Sequence, residues 1–326
     1  MGVCPLWETD GVNPSHKRKS EYRKMKAAFE WNDWPVPTPQ SFHHWTLARQ
    51  VDHLVTARES EPDLGFMARM LALCTLPRTN PGRRKEYKRV NGPFRIYMTA
   101  GGGNRLPYGN LPRLLMAWVS TEAVRTRQRE LVLGRSLSEF MRKVGIWDDG
   151  GAIRRRLRTQ MDRLFHATIS LVYEDKYRKE SLSSLVADRV SLWWDPKRPS
   201  EPVLWDSKIE LGEKFFQEII RRPLPLDMNI LRALKRSTLG LDLYMWLSYR
   251  TFSLKTPVAL RWRDLYRQFG AHPDRAGDRN TVNAFRTKCL RELKKIEEAW
   301  PGMNYGLDRG VLIIGPSIPS VPSLTQ

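Results

Sequence analysis

The chain has 326 residues, with 55 Lys and Arg against 35 Asp and Glu, which gives a formal net charge of +20 at neutral pH. With 41% hydrophobic and 10% aromatic residues the chain can bury a core, which excludes a wholly disordered protein, and its length predicts about two domains. It has no apolar run of about 18 residues, and Glu8 and Asp10 stand where a signal peptide needs a basic start, so we expect an intracellular, cytoplasmic protein without membrane association.

The excess of basic groups indicates the kind of partner. A folded chain tolerates such an excess most easily when a polyanion neutralises it during function. Nucleic acid is the first partner to consider. An anionic membrane surface is the alternative, but it favours a basic amphipathic helix beside a polybasic cluster, and here the basic residues are spread along the chain.

The sequence contains no recognisable metal-site or catalytic motif. The three cysteines are too far apart for a CxxC site and odd in number for a disulfide framework. The histidines form neither HExxH nor a zinc-finger spacing, and His43 and His44 are adjacent, unlike the His-apolar-His motif of rolling-circle nucleases. The Gly101–Asn104 turn lacks the Lys-Ser/Thr of a phosphate loop. We expect no cofactor, no metal and no enzymatic activity.

The ends of the chain predict tails. Residues 1–40 contain a basic run and a Pro-rich stretch, which predict a largely disordered basic tail, and residues 317–326 predict a second tail. Residues 41–93 predict a helical and extended segment that starts with a helix over 41–58. Within it, residues 64–76 are apolar enough to be buried, but their periodicity fits a helix and a strand equally well.

From Phe94 onward the same order of elements occurs twice. In the first copy we predict a strand at 94–98, a helix at 111–125, a strand at 130–133, helices at 136–145 and 152–166, and a closing hairpin with strands at 167–173 and 190–194. In the second copy we predict a helix at 239–253, a strand at 258–260, helices at 261–269 and 279–300, and a hairpin at 303–314. A strand and a helix over 203–222 connect the copies.

Two helices joined by a turn and followed by a hairpin follow the winged helix-turn-helix order. The sequence therefore predicts an α+β fold with tandem winged helix-turn-helix domains at 94–200 and 203–316. Two unrelated α/β stretches are the alternative.

The helix after the second turn carries the side chains best suited to reading DNA. In a winged helix this helix enters the major groove. Helical spacing places an apolar stripe inward, at Val282, Phe285, Cys289, Leu293 and Ile296. We predict DNA binding by the opposite face, its flanks and the hairpin turn, at Arg279, Asn280, Asn283, Ala284, Thr287, Lys288, Arg291, Lys294 and Arg309. An ordinary solvated face is the alternative, although such a face normally mixes Glu with Lys.

The corresponding helix of the first copy is rich in arginine but lacks side chains suited to adenine. We predict contacts mostly with the DNA backbone from Arg154, Arg155, Arg158, Thr159 and Arg163. Asp162 lies on the same outer face and would repel phosphate. Use of this face for protein contact is the alternative.

Several long sequence segments resemble those of the plasmid replication initiator family known as RepA, among them NLPRLLMAWVSTEAVR, VSLWWDPK and LGEKFFQEIIRR. The resemblance covers residues 60–315. It implies an initiator that binds double-stranded DNA of its plasmid's origin at repeated sites, without nuclease or ATPase activity. It also implies recruitment of the host's initiator and helicase, self-association as a dimer through the first unit, and reading of each repeat mainly by the second.

On this basis we expect a bacterial protein that opens origin DNA locally and limits plasmid copy number. A winged-helix transcriptional repressor with the same DNA-binding units is the alternative. An enzyme that nicks DNA is a third possibility, which the missing nuclease motif disfavours.

Overall fold

The computed structural model describes residues 62–321, apart from 102–104, 148–149, 178, 196, 222 and 309. The predicted tail at 1–40, the helix at 41–58 and residues 322–326 of the predicted second tail lie outside the described residues. The described part mixes helices and strands throughout, which confirms the predicted α+β class.

The apolar segment 64–76 contains both of the structures that its periodicity allowed. It forms a strand, β1 (Leu64–Ala68), followed at once by a short helix, α1 (Arg69–Leu73). The strand lies against a long helix, α2 (Asn110–Thr126), whose Thr121 Oγ1 accepts a hydrogen bond of 2.8 Å from the Phe66 backbone N–H. Along the chain, a hairpin of two strands, β2 (Glu86–Asn91) and β3 (Phe94–Thr99), lies between α1 and α2.

We include β1, α1, β2, β3 and α2 in the first unit. It continues with β4 (Glu130–Gly134), α3 (Leu137–Lys143), α4 (Gly151–Phe165), β5 (Thr168–Glu174), β6 (Lys179–Leu185) and β7 (Ala187–Ser191). A capping box begins α3, because Ser136 Oγ accepts from the Glu139 N–H at 3.1 Å. The Glu139 carboxylate reaches back to the Arg135 N–H at 3.0 Å.

The sheets of the first unit differ from the predicted hairpin. The strand β5 pairs with β6, which lies in the chain between the two strands of the predicted hairpin, and the four-stranded sheet has the order β2-β3-β5-β6. One face of β6 is exposed and its other face is only half-buried, so the segment has little of the hydrophobic signal of a strand. The predicted return strand at 190–194 overlaps only the end of β7, which belongs to another sheet.

That other sheet also changes the role of the predicted connector. Its order is β4-β8-β7, with β8 (Ser207–Leu211) in the centre. The predicted strand at the start of 203–222 therefore exists, but it completes the first unit. The predicted helix follows as α5 (Glu213–Arg221). The next strand, β9 (Pro223–Asp227), pairs with β1, and the short helix α6 (Met228–Leu234) follows it; neither was predicted.

The second unit has the predicted order of elements. Its elements are α7 (Thr238–Ser253), β10 (Val258–Leu260), α8 (Trp262–Phe269), a 3-10 turn (Pro273–Gly277), α9 (Arg279–Ala299), β11 (Tyr305–Asp308) and β12 (Val311–Ile314). The sheet order is β10-β12-β11, so β10 pairs with a strand of the closing hairpin. In the first unit the corresponding strand, β4, pairs with β8 instead. The winged-helix assignment and the domain limits stay predictions.

A buried ion pair joins the two units. Arg113 in α2 contacts Asp242 in α7 through two hydrogen bonds of 2.6 and 2.9 Å, and both side chains are at most 2% exposed. Arg113 also donates to the backbone carbonyls of Leu76 and Gly109, each at 2.7 Å. The guanidinium is therefore surrounded by acceptors, and the buried apolar residues of both units form one continuous core around it.

The glycine after α8 is required by a close approach. A Cβ at Gly270 would overlap the Tyr266 carbonyl oxygen and ring. We expect Gly270→Ala to lower the free energy of unfolding by about 1–3 kcal/mol, measured by urea denaturation. The matched control is Gly277→Ala in the 3-10 turn that follows, where nothing lies within 4 Å of the new Cβ. Equal stability of the two variants would show that the backbone relaxes around Gly270.

Candidate nucleic-acid interface

The predicted reading helix of the second unit is α9, with 21 residues. Its N-cap is Asp278, whose carboxylate accepts hydrogen bonds from the Asn280 N–H at 3.0 Å and from the Thr281 hydroxyl. The bond from Thr281 holds the pKa of the Asp278 carboxyl below its usual range. This cap fixes the start of the helix directly after the turn that follows α8.

One side of α9 is packed against the core as predicted. Phe285, Cys289, Leu293 and Ile296 are buried, and Val282 is half-buried. The Phe285 ring packs edge-on against Tyr266 in α8, with the ring centroids 5.4 Å apart. Burial raises the pKa of the Cys289 thiol to about 12, so this cysteine is a packing residue.

The opposite side of α9 is open to solvent. All eight residues predicted there are exposed, namely Arg279, Asn280, Asn283, Ala284, Thr287, Lys288, Arg291 and Lys294. From residue 279 to 291 the sequence has no acidic residue. The predicted contact Arg309 lies outside the described residues. The exposed face therefore combines amide, hydroxyl and basic groups, which match base edges and phosphates, without a carboxylate that would repel them.

The first acidic residue along α9 is turned away from this face. Glu292 is 5% exposed, and its carboxylate accepts from Lys295 Nζ at 3.1 and 3.2 Å. The Arg291 guanidinium lies beside it, with 3.8 Å between Nε and Oε1, but the Arg291 side chain stays 66% exposed. Lys295 therefore supplies the close partner of Glu292, and most of Arg291 remains available to a ligand.

Further exposed basic residues, on the two elements that precede α9, were not predicted from the sequence. Arg263 and Arg267 on α8 and Arg275 in the 3-10 turn are exposed. The i,i+4 spacing of Arg263 and Arg267, opposite the buried stripe of α8, is the signal that could have found them. Arg267 also contacts Asp264 at 3.1 Å.

In the first unit, α4 buries Leu157, Met161 and Leu164, and Ile153 is half-buried. The predicted contacts divide into two groups. Arg155, Arg158 and Thr159 are exposed, whereas Arg154 and Arg163 are half-buried.

Of the two half-buried arginines of α4, Arg163 packs on an aromatic ring. The Arg163 guanidinium lies over the Tyr108 ring, 5.5 Å from its centroid. On the exposed side, Asp162 lies 3.3 Å from His166 Nδ1, and the Thr159 hydroxyl donates to the Arg155 carbonyl at 2.9 Å. This helix therefore offers fewer free polar groups to DNA than α9 does.

Within the part of the chain that the structure describes, no three His, Cys, Asp or Glu side chains lie close enough together to hold a metal ion. None of the described helices is both long and apolar enough to cross a bilayer.

Comparison with known proteins gives a match to one protein-family model. The family is the one described as plasmid encoded RepA protein, and its model matches residues 106–262, from the loop before α2 to the start of α8. The predicted resemblance is thereby confirmed. Among curated proteins, none matches the chain significantly.

Two solved structures similar to this chain are both of RctB. A crystal structure of selenomethionine derivatives of its domains 2 and 3 has a TM-score of 0.48 and 16% sequence identity, over 77% of this chain and 99% of that one. A second crystal structure of RctB domains 2 and 3 has a TM-score of 0.46 and 16% identity, over 75% of this chain and 94% of that one. Similarity at this level identifies no residue roles.

Proposed function

We propose that this protein initiates plasmid replication by binding repeated sequences of its plasmid's origin in duplex DNA, with the exposed face of α9 as the main reader. The observation that carries the proposal is the division of α9 into a buried apolar stripe and an open face of Asn, Thr, Arg and Lys without acid over residues 279–291. Asn pairs bidentately with adenine and Arg with guanine, and Ala or Thr packs on a thymine methyl.

In this proposal the chemistry consists of binding alone. Several copies on neighbouring repeats bend or strain an A·T-rich segment until it opens, and the host's initiator and helicase then load on the exposed strand. The same binding limits copy number. The RepA-family domain supports an initiator over a transcriptional repressor with the same DNA-binding units. The protein acts in the bacterial cytoplasm and is not an enzyme.

An opening assay tests this function. Supercoiled plasmid carrying the origin is incubated with the protein and probed with permanganate, which oxidises unpaired thymines. An initiator exposes thymines beside the repeats, whereas a pure repressor protects the repeats without any new reactivity. In the same samples with Mg²⁺, the appearance of relaxed circles would indicate a nicking enzyme and overturn the proposal.

The exposed arginines of α4 are proposed to contact the DNA backbone. Removing one phosphate contact lowers the slope of log affinity against log salt concentration by about 0.9, so the double variant Arg155→Ala, Arg158→Ala should lower it by about two. Sequence preference should change little. The measurement is a salt titration of origin binding. An unchanged slope would mean that this face of α4 meets protein instead.

Self-association is proposed to use a group of exposed apolar side chains in the first unit. Trp193 and Trp205 are 57% and 65% exposed, and both lie next to the start of β8, where the Trp193 N–H donates to Ser207 Oγ at 2.9 Å. We expect Trp193→Ser with Trp205→Ser to weaken the dimer about tenfold or more in sedimentation equilibrium, because exposed tryptophans are frequent hot spots. The control is Phe252→Ser, an aromatic residue 72% exposed in the second unit. Equal dimer affinity in the tryptophan variant and wild type would place the interface elsewhere.

A further inference from the structure

The helix before the reading helix does not end in the usual left-handed glycine motif. In α8 the last residue is followed by Gly270, whose φ of −64° and ψ of 153° are extended instead of left-handed. The Gly270 N–H donates to the Tyr266 carbonyl at 2.6 Å. The usual glycine motif, which would satisfy the last carbonyls of the helix, is therefore missing, and these oxygens need donors from elsewhere.

Two arginines from the N-terminal part of the first unit supply those donors. Arg89 Nη1 donates to the carbonyls of Arg267 at 3.1 Å and Gly270 at 2.9 Å. Arg78 Nη1 donates to the Phe269 carbonyl at 2.5 Å. We call these two side chains and three carbonyls the arginine clamp. Cationic donors at the negative end of a helix stabilise it, and more strongly where solvent is excluded.

The clamp is held from the first unit. Arg89 is 1% exposed and stands on β2, in the four-stranded sheet. Its Nε donates to the Tyr87 hydroxyl at 2.8 Å, and that hydroxyl donates to the Thr75 carbonyl at 3.0 Å. Burial raises the pKa of Tyr87, which keeps the hydroxyl protonated and able to donate. The direction of the Arg89 guanidinium is therefore set by residues outside the second unit.

From this geometry we propose that Arg78 and Arg89 are positioning residues for sequence-specific DNA binding: they fix α8, and through the turn at 271–278 the reading helix α9, relative to the sheet of the first unit. The inference rests on the proposed function. Contacts with base edges need side chains placed to within a fraction of an ångström, whereas phosphate attraction tolerates a looser placement. Loss of the clamp should therefore reduce origin preference more than it reduces DNA affinity in general.

The experiment compares three full-length proteins with wild type. They are the double clamp variant Arg78→Gln, Arg89→Gln, the milder single variant Arg78→Gln, and a control, Ile209→Ala, which creates a cavity at a 1% exposed position in β8. Each is titrated with a duplex carrying an origin repeat and with a random duplex of equal length, at a temperature well below every unfolding midpoint. If the double variant does not fold, Arg78→Gln carries the test, because Arg89 still holds two carbonyls.

A second readout reports position without DNA. Spin labels at Ser181→Cys on β6 and Glu298→Cys on α9, both exposed sites, give a distance distribution by pulsed electron resonance. The background carries Cys4→Ser. Cys74 and Cys289 are retained, because burial raises each thiol pKa to about 12 and leaves them unreactive at neutral pH.

We expect the clamp variants to broaden this distance distribution and to lose about tenfold or more of the origin affinity, with less than about a twofold change on random duplex. The Ile209→Ala control should lose stability alone. A narrow distribution with unchanged preference, or equal losses on both duplexes, would overturn the positioning role. If wild type itself does not distinguish the origin from random DNA, the proposed function fails, and the spin-label result still decides whether the clamp orients α9.

Discussion

The Asp242→Asn variant is expected to lose about 3–5 kcal/mol of unfolding free energy, because it leaves the Arg113 guanidinium buried without its counter-charge. Both side chains are at most 2% exposed, and the two hydrogen bonds between them measure 2.6 and 2.9 Å. The measurement is urea denaturation followed by tryptophan fluorescence.

A surface ion pair provides the control for this loss. Arg198 and Glu201 lie 3.2 Å apart with side chains 67% and 64% exposed. Glu201→Gln should change the free energy of unfolding by less than about 1 kcal/mol. If Asp242→Asn cost no more than this control, the buried pair would contribute nothing to the joining of the two units.

The second large effect concerns base reading by α9. Replacing Asn283 or Arg291 by Ala should weaken origin binding by about 1–3 kcal/mol for each side chain that reads a base, and the double variant by up to about 6 kcal/mol. Non-specific affinity should change little for Asn283→Ala. Competitive titration of labelled origin duplex against unlabelled random duplex measures both quantities.

The same helix offers a matched control. Glu298 is exposed on α9 but lies beyond the acid-free stretch, so Glu298→Gln should leave the origin preference unchanged. Origin preference that survived in both Asn283→Ala and Arg291→Ala would show that α9 does not read the bases.

The second unit was the more predictable part of the fold. Its elements follow one another in the chain with strong helical spacing, so the sequence places α7, β10, α8 and α9 nearly where the structure has them. The burial of Phe285, Cys289, Leu293 and Ile296 follows from the same periodicity. The exposed candidate face could be predicted because a helix that buries one stripe must expose the other.

The wrong predictions arise where strands pair over long sequence separations. The strand β8 lies between β4 and β7, and β9 pairs with β1. A local sequence pattern does not indicate which strands will pair in this way. The β6 strand was not predicted because one of its faces is exposed and the other only half-buried, so it lacks an alternation of buried apolar residues. The hydrogen bonds of Arg78 and Arg89 to α8 likewise bridge 178–191 residues, and a lone arginine in a sequence does not indicate which carbonyl it will meet.

The most direct test of the central claim is the affinity of the full-length protein for its own plasmid's origin, compared with a random duplex of equal length and composition at the same salt concentration. We predict protected segments recurring at each repeat in a footprint, with a preference of about a thousandfold or more over random DNA. Equal affinity for the two duplexes, with no repeated protection, would contradict sequence-specific origin binding.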